Sequence, residues 1–393
     1  MSKIELLSPA GDFRSLNSAI KAGADAVYFG LKEFNMRDSA KNFSIKDLDE
    51  INKICGEKIK KYLTLNTIIF DNELKNLEKI IKKIRGKVDA VICWDLSVIE
   101  LCRKYKVPFH ISTQASVSNS EAAKFYKKLG AKRIILAREL NLKQIKEISK
   151  IIPVEIFIHG AMCVAVSGRC FTSQFLHNKS ANRGKCRHPC RKSYKIIDSE
   201  GNELKLENNK VMSAKDLCTL PFIEKLKASG ISSFKIEGRN REPEYVYQVT
   251  LIYRKALDKK INKKEIQQSI KELKQVYNRD FSNGFYFKTP TADDFTNSEH
   301  GSQQKTKKFI GKVFHYWKKS GVAGIKICAG ELKLGDEILV IGNSTFFRTK
   351  IKSMEIENKK IKEVKKSQEV GIALPYCRKN DEVYAVVEKT NLK

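Results

Sequence analysis

The sequence predicts an α/β protein: a (β/α)8, TIM-like barrel with a Cys-rich insertion, followed by a small all-β barrel domain. Three observations carry this. Eight short β-branched or aromatic runs alternate with stretches of helical periodicity through about the first 260 residues. A cysteine-rich excursion of about 50 residues interrupts the alternation once, after the seventh run. From Phe309 onward the helical period gives way to closely spaced short runs.

The strands are expected at Ile4–Ser8, Ala26–Gly30, Tyr62–Asn66, Ala90–Trp94, Phe109–Thr113, Arg133–Ala137, Glu155–His159 and Ser233–Glu237. Between them lie helix-period segments such as Phe13–Ala22, Leu74–Ile84, Ser120–Leu129 and Leu142–Ile151, separated by small-residue turns such as Ala22-Gly23-Ala24-Asp25. Strand–helix repetition with right-handed crossovers builds a parallel sheet, and eight units close a barrel. The competing open, doubly wound sheet lacks its Gly-rich dinucleotide fingerprint after the first strand. Within the insertion, Tyr194–Ile197 and Glu203–Glu207 flank a Ser-Glu-Gly-Asn turn and read as a hairpin, and Lys215–Ala228 reads as a helix. Helices at Tyr245–Leu257 and Lys264–Val276 complete a domain spanning 1–288, whose cysteine loop covers 160–210. Residues 289–307 are polar and aperiodic, as in a linker. The module 308–393 holds short runs at Ile310–Val313, Ala323–Cys328, Glu337–Ile341, Thr349–Ile356, Glu369–Ala373 and Glu382–Val387, with turns at Gly335-Asp336 and Asn380-Asp381.

Composition narrows the setting. The chain of 393 residues carries 75 Lys and Arg against 45 Asp and Glu, a formal charge of +30. The excess is spread along the chain, which describes a basic surface and points to a polyanion, nucleic acid above all. No apolar run is long enough for a membrane span, and MSKIELLSPAG has no secretory pattern, so a cytoplasmic location without membrane contact is expected.

Ten cysteines in such a setting are not a disulfide framework. Cys55, Cys93, Cys102, Cys328 and Cys377 stand singly and are expected in the core. Cys163, Cys170, Cys186 and Cys190 follow a C-x6-C-x15-C-x3-C spacing inside one loop, where four sulfurs can converge on one inorganic centre. The irregular first pair suits a [4Fe–4S] cluster better than the closely paired knuckles of structural zinc. Zinc and reduced structural thiols remain alternatives. Arg169, Lys185, Arg187 and Arg191 around the thiols would offset the charge of a thiolate-bound cluster. Cys218 is a reserve ligand, or core.

Several of these segments together resemble the peptidase U32 family: Phe157-Ile-His-Gly-Ala-Met-Cys163, Ser167-Gly-Arg-Cys170, Asn182-Arg-Gly-Lys-Cys186-Arg-His-Pro-Cys190-Arg191 and Phe234-Lys-Ile-Glu-Gly-Arg239. Leu7-Ser-Pro-Ala-Gly11 and Ala22-Gly-Ala-Asp-Ala-Val-Tyr-Phe-Gly30 match it too. The likeness covers the whole first domain, and the β module is similar to one that many members carry. It implies a [4Fe–4S] cluster bound by Cys163, Cys170, Cys186 and Cys190. The branch with this module and the CxxxC pair implies tRNA as partner, prephenate as co-substrate and wobble uridine hydroxylated to 5-hydroxyuridine. A partner protein of the same family is a further implication. Related branches act on rRNA cytidine or in quinone synthesis, so the likeness alone does not fix the substrate.

Other residues are read from their positions. His159 ends the seventh strand, where it is expected to orient a ligand, move a proton or serve a Cys nucleophile. Arg138 and Arg239 end the sixth and eighth strands at the barrel mouth, where guanidinium forks suit carboxylates and phosphates. Their bland alternative is an ion pair with Glu139 or Glu237. Arg241, Asn66, Asp95, Gln114, Tyr28 and His188 are lesser candidates, and His110 is expected in the core. In the β module Lys312, Lys318, Lys319, Arg348, Lys350 and Lys352 interleave with Phe314, Tyr316, Trp317, Phe346 and Phe347, a pattern of RNA contact or of ordinary barrel filling. Lys359–Lys366 reads as a solvated turn.

Three functions compete on this reading. An iron–sulfur RNA-modifying enzyme accounts for the thiols, the charge and the β module together. A U32-type peptidase would use a Cys163/His159 pair or a zinc-bound water, although neither HExxH nor GxSxG occurs. A non-catalytic RNA-binding protein would keep the cluster as structure alone.

Overall fold

The structure is a computed structural model describing residues 3–204, 210–298 and 301–388. It divides into two compact units: residues 1–12 with 19–302, and residues 13–18 with 303–393.

The first unit is built on eight parallel strands: β1 (Glu5–Pro9), β2 (Ala26–Gly30), β3 (Lys60–Thr64), β4 (Ala90–Cys93), β5 (Phe109–Ile111), β6 (Arg133–Ile135), β7 (Val154–Gly160) and β8 (Ser233–Ile236). Each pairs with its successor as far as β7, and β8 pairs with both β7 and β1, which closes the barrel. All eight expected strands are present. Their bodies are buried throughout, because helices cover one face and the barrel interior takes the other. Helices α2 (Leu48–Cys55), α3 (Leu74–Ile84), α4 (Leu96–Lys104), α5 (Ser120–Lys128) and α6 (Leu142–Ser149) fill the crossovers of this unit, and α1 (Phe13–Lys21) begins in residues grouped with the second. In α3, Leu77, Ile80, Ile81 and Ile84 form the inward stripe. Asp95, Asn119 and Asn141 cap α4, α5 and α6 with side-chain oxygens.

After β7 the crossover expands. It holds a short helix, α7 (Thr172–His177), and a two-residue hairpin pairing Ile196–Ile197 with Glu203–Leu204. Residues 205–207 of the expected second hairpin strand lie outside the described residues. The helix expected over Lys215–Ala228 is a correction: Asp216–Cys218 forms a strand antiparallel to the end of β7, and only α8 (Ile223–Lys227) is α-helical. The buried Leu217 and Cys218 sit better against β7 than on a helix face. Helices α9 (Pro243–Asp258) and α10 (Lys263–Gln275) follow β8. The polar stretch after residue 289 begins as ordered chain, with Thr296 fully buried and its N–H donating to the Ser213 carbonyl at 2.8 Å.

Charge fills the N-terminal end of the barrel interior. Glu155, with no exposed surface, accepts from Lys235 Nζ at 2.9 Å and from Arg133 at 3.2 Å. Arg133 also pairs with Glu5, which accepts from Tyr62 Oη at 2.8 Å. His110 packs against Tyr62, with ring centroids 4.8 Å apart, so it lies in the core as expected.

The second unit is an eight-stranded antiparallel sheet over one apolar core that includes Val313, Ile325, Ile338, Val340 and Val383. Its long strand, Lys305–Trp317, pairs with Val322–Ile327 on one side and Glu382–Glu388 on the other, with register shifts that bend it. The expected run Thr349–Ile356 is broken into Phe346–Lys350 and Met354–Ile356. Cys328, expected in the core, is exposed just after a strand end. Among the described residues, no helix is long and apolar enough to cross a membrane.

The buried ion network yields a stability prediction. Glu155→Ala leaves Lys235 and Arg133 without a shared carboxylate and is expected to lower stability by about 3–5 kcal/mol in urea unfolding. A loss of less than about 1 kcal/mol would show that the two cations find water or other partners.

Candidate functional site

The C-terminal ends of the strands line a cavity whose free space, with the open solvent at its mouth included, is about 550 Å³. Lys235 reaches it from β8, Glu237 and Arg239 from the turn after β8, Arg138 from the loop after β6 and Arg37 from the loop after β2. Asn66, Ser112 and Gln114 supply uncharged polar walls.

Glu237 organises these cations. It accepts from Arg37 Nη2 at 3.0 Å and Nε at 3.3 Å, and from Arg138 Nη2 at 3.4 Å. Burial pushes its pKa up, but Arg37, Arg138 and Arg239 outweigh that and hold it down at about 2, so it stays ionised. Arg138 also donates to the Ala161 carbonyl at 2.6 Å and lies 3.9 Å over the Phe157 ring. Arg239 is 4% exposed and donates to Thr64 Oγ1 at 2.7 Å. Burial, with Arg37 nearby, lowers its pKa to about 10, which leaves it charged at neutral pH. Gly30 makes room for it, since a Cβ there would stand 2.5 Å from Arg239 Nη1.

Beside this cavity lies a larger one, of about 1120 Å³, lined by Cys163, Cys170, Cys186 and Cys190. The two share Arg37, Cys163 and Glu237 in their walls, so they adjoin. The sequence-predicted cysteines are thus brought together, and with Arg138 and Arg239 they surround one continuous region. Backbone N–H groups point at two of the sulfurs: Thr172 N donates to Cys170 Sγ and His188 N to Cys186 Sγ, each at 3.4 Å. Cys170 N donates to Asn182 Oδ1 at 3.0 Å, and Arg191 donates to the carbonyls of Met162 and Ala214, which ties the two cysteine pairs to the barrel rim. Burial pushes the Cys186 and Cys190 thiols up, reinforced by neighbouring cysteines and opposed by Arg37 and Arg191 respectively. His188 lines the same cavity, where burial and then Arg37 lower its pKa to about 4. Among the described residues, no three His, Cys, Asp or Glu side chains stand close enough to hold a single metal ion.

His159 stands apart. It lines neither cavity and is enclosed by Tyr245, Tyr253 and Phe281, with ring centroids 5.5–6.0 Å away. Burial, with Arg241 nearby, lowers its pKa to about 3. The cause is a register shift in the β7–β8 pairing: Lys235 faces Phe157, but Ile236 faces His159. The extra residue breaks the in–out alternation that would have put His159 beside Phe157. Cys218 is also buried away from the other thiols, near Tyr253 Oη at 3.7 Å. Asp95 is spent as a helix cap. Tyr28, Asn66 and Gln114 line the mouth cavity, while Arg241 lines the cysteine cavity and stacks 3.8 Å from the Tyr277 ring. Arg37 and Lys235 were missed by sequence reading. In the β module Phe346 is buried, Phe314, Tyr316 and Phe347 are half-buried, and Trp317 is exposed.

Gly184 fixes the loop that carries Cys186. At φ +85° its carbonyl accepts from Asp38 N at 3.1 Å, and a Cβ would stand 2.3 Å from the Asn35 carbonyl oxygen. Gly184→Ala is therefore expected to lift this loop and to speed alkylation of Cys186 several-fold in reduced, metal-free protein. Equal rates in the two proteins would contradict the close approach.

Comparison with known proteins agrees with this geometry. The model of peptidase family U32 matches residues 11–296, and that of elongation factor Tu domain 2 matches residues 320–376. The chain is 42% identical to an uncharacterized protease of Methanocaldococcus jannaschii, covering 99% of both chains. It is 37% identical to a collagenase of Porphyromonas gingivalis over 98% of each. It is 36% identical to the tRNA hydroxylation protein P1 of Bacillus subtilis, over 86% of this chain and 84% of that one. The match to the U32 model takes in seven of the eight barrel strands, the cysteine segment and the barrel mouth, and the chain belongs to peptidase family U32.

Proposed function

We propose that this protein is an iron–sulfur enzyme that hydroxylates the wobble uridine of tRNA to 5-hydroxyuridine, with prephenate as co-substrate. One observation carries the reading: four cysteines distant in sequence line one cavity that adjoins a second cavity rich in cations. The donor set fits a [4Fe–4S] cluster held by Cys163, Cys170, Cys186 and Cys190. All four donors are sulfur, N–H groups point at two of them, and Arg37, Arg191, Arg241 and Arg279 in the walls offset thiolate charge. The wide sequence spacing of the first cysteine pair favours a polynuclear centre over the closely paired knuckles of structural zinc. When bound, such a cluster supplies one-electron chemistry.

The chain's own residues do the rest. Arg138 and Arg239 present guanidinium forks to the carboxylates of a small dianion, and Lys235 adds charge at the cavity floor. Glu237 holds Arg37 and Arg138 in place, so little ordering is left for the moment of binding. A uridine must leave its stack to present C5 to the region between the cavities, as in other base-modifying enzymes. The relative named for tRNA hydroxylation, similar over most of its length, and the charge of +30 support RNA as the larger substrate. A hydrolase, which the relatives named protease and collagenase suggest, would need a base beside Cys163. His159 is enclosed by aromatic rings on the far side of β7.

Anaerobically purified protein is expected to be brown and to hold roughly four irons and four sulfides per chain. Cys186→Ser should lose most of both. Mass spectrometry of tRNA nucleosides from a deletion strain should show 5-hydroxyuridine missing, restored by the parent gene and not by Cys186→Ser. Arg239→Ala, which removes a charged anchor, should raise the co-substrate requirement roughly 10- to 100-fold. Full restoration by a protein without iron would overturn the reading.

A further inference from the structure

Residues 161–197 contain eight Lys or Arg and no Asp or Glu. Of these, Arg169, Lys179, Lys185, Arg187, Lys192 and Lys195 are exposed. Within the same segment five large apolar side chains face solvent: Val164, Val166, Phe171, Phe175 and Leu176, at 48%, 61%, 64%, 84% and 58% exposure. Single exposed apolar residues are ordinary, but five in thirteen consecutive positions make a patch. Phe171 and Phe175 lie four residues apart on α7 and its entry, with ring centroids 6.4 Å apart and planes tilted by 48°. The opposite side of this helix is anchored, since Ser173 is buried and its Oγ accepts from Arg187 N at 3.0 Å. Thr172 and Ser173 also line the cysteine cavity. One short helix therefore forms part of the cavity wall and holds two aromatic rings out beside it, in a field of positive charge.

We infer that this segment docks an unpaired stretch of RNA, with Phe171 and Phe175 as the platform on which bases stack. The inference rests on the RNA-modifying reading and adds where the strand lies. Charge selects the occupant. An apolar protein partner gains nothing from eight cations without an acid, whereas a phosphate backbone does, and the paired Phe171 and Phe175 rings offer base faces a platform that an anionic lipid surface does not call for. Exposed rings among cations are the recurrent means of holding single-stranded nucleic acid, since every base has a face to stack. A paired helix offers no free base face to these rings.

The test is fluorescence anisotropy on the full-length protein, with a labelled RNA hairpin carrying an unpaired loop and a fully paired duplex of equal composition. The hairpin should bind more tightly. Phe171→Ala with Phe175→Ala should weaken hairpin binding about ten-fold or more, leave duplex binding and the salt slope unchanged, and keep the parental circular dichroism. Phe175→Trp should keep hairpin affinity. Lys179→Ala with Lys185→Ala should instead lower the salt slope by roughly one to two for both RNAs. Unchanged hairpin affinity in the double Phe variant would overturn the inference, as would equal losses on hairpin and duplex. Copurification of a protein that is lost with the same two rings, while RNA affinity is kept, would assign the patch to that protein. Normal nucleosides in a deletion strain, with hairpin binding still dependent on the rings, would remove the proposed reaction and leave this surface standing.

Discussion

A single buried carboxylate sets the terms for the barrel mouth. Glu237 is surrounded by Arg37, Arg138 and Arg239, and it directly pairs with the first two. Three guanidinium groups against one carboxylate leave the region with net positive charge in a poorly solvated pocket. Such charge is costly there, which is the physical ground for the anionic co-substrate proposed above. Lys235 does not redress the balance, because it is cationic and answers to Glu155 at the opposite end of the interior. Glu237 also joins parts of the chain that are far apart in sequence. Through Arg37 it holds the loop after β2, and that loop in turn meets Gly184 beside Cys186. The position of the cysteines therefore depends on the same ion cluster that shapes the neighbouring cavity.

Much of this was legible in the sequence, for physical reasons that differ by element. The eight strands were readable because both of their faces are buried, which forces short apolar runs between helices of regular period. Their ends were less so: Asn66 and Thr113 continue apolar or β-branched runs but already belong to loops lining the cavity. The cysteines declared themselves by residue type and crowding. Arg37 left no such signal, since it lies in a polar loop where one arginine looks like any solvated cation. Glu237 entered only as an ion-pair partner for Arg138 or Arg239; it does pair with Arg138, and its other direct partner is Arg37. His159 shows the opposite failure. Its chemistry invited a catalytic role, and strand alternation would have pointed it inward. One extra residue in β7 turns it outward into an aromatic cage.

The misread segment 215–228 shows what an insertion does to local logic. Asp216–Cys218 has the apolar spacing of a helix start, but the chain must return to the barrel after the cysteine loop. It does so by running antiparallel along the end of β7, where Leu217 pairs with Gly160 and Cys218 with His159. That pairing covers the outer side of the very residues displaced by the shift in β7. It also explains why Cys218 is not a fifth thiol for the cavity: the return strand buries it against Tyr253 instead.

The arrangement of the two cavities bears on how reaction and recognition are kept apart. Arg37 and Cys163 belong to both walls. An anion entering the mouth competes with Glu237 for Arg37 and Arg138, and any shift of Arg37 is felt at the cysteine cavity next to it. The outer face of the cysteine segment has no carboxylate of its own: Arg183 and Lys195 pair with Glu73 and Glu203 from outside it, while Arg169, Lys179, Lys185, Arg187 and Lys192 are exposed, the charge on which the proposed RNA contact draws. Positive charge is in excess at both places, and burial separates the two proposed tasks: the enclosed mouth suits a small anion, while the exposed surface of the same loop suits a long one.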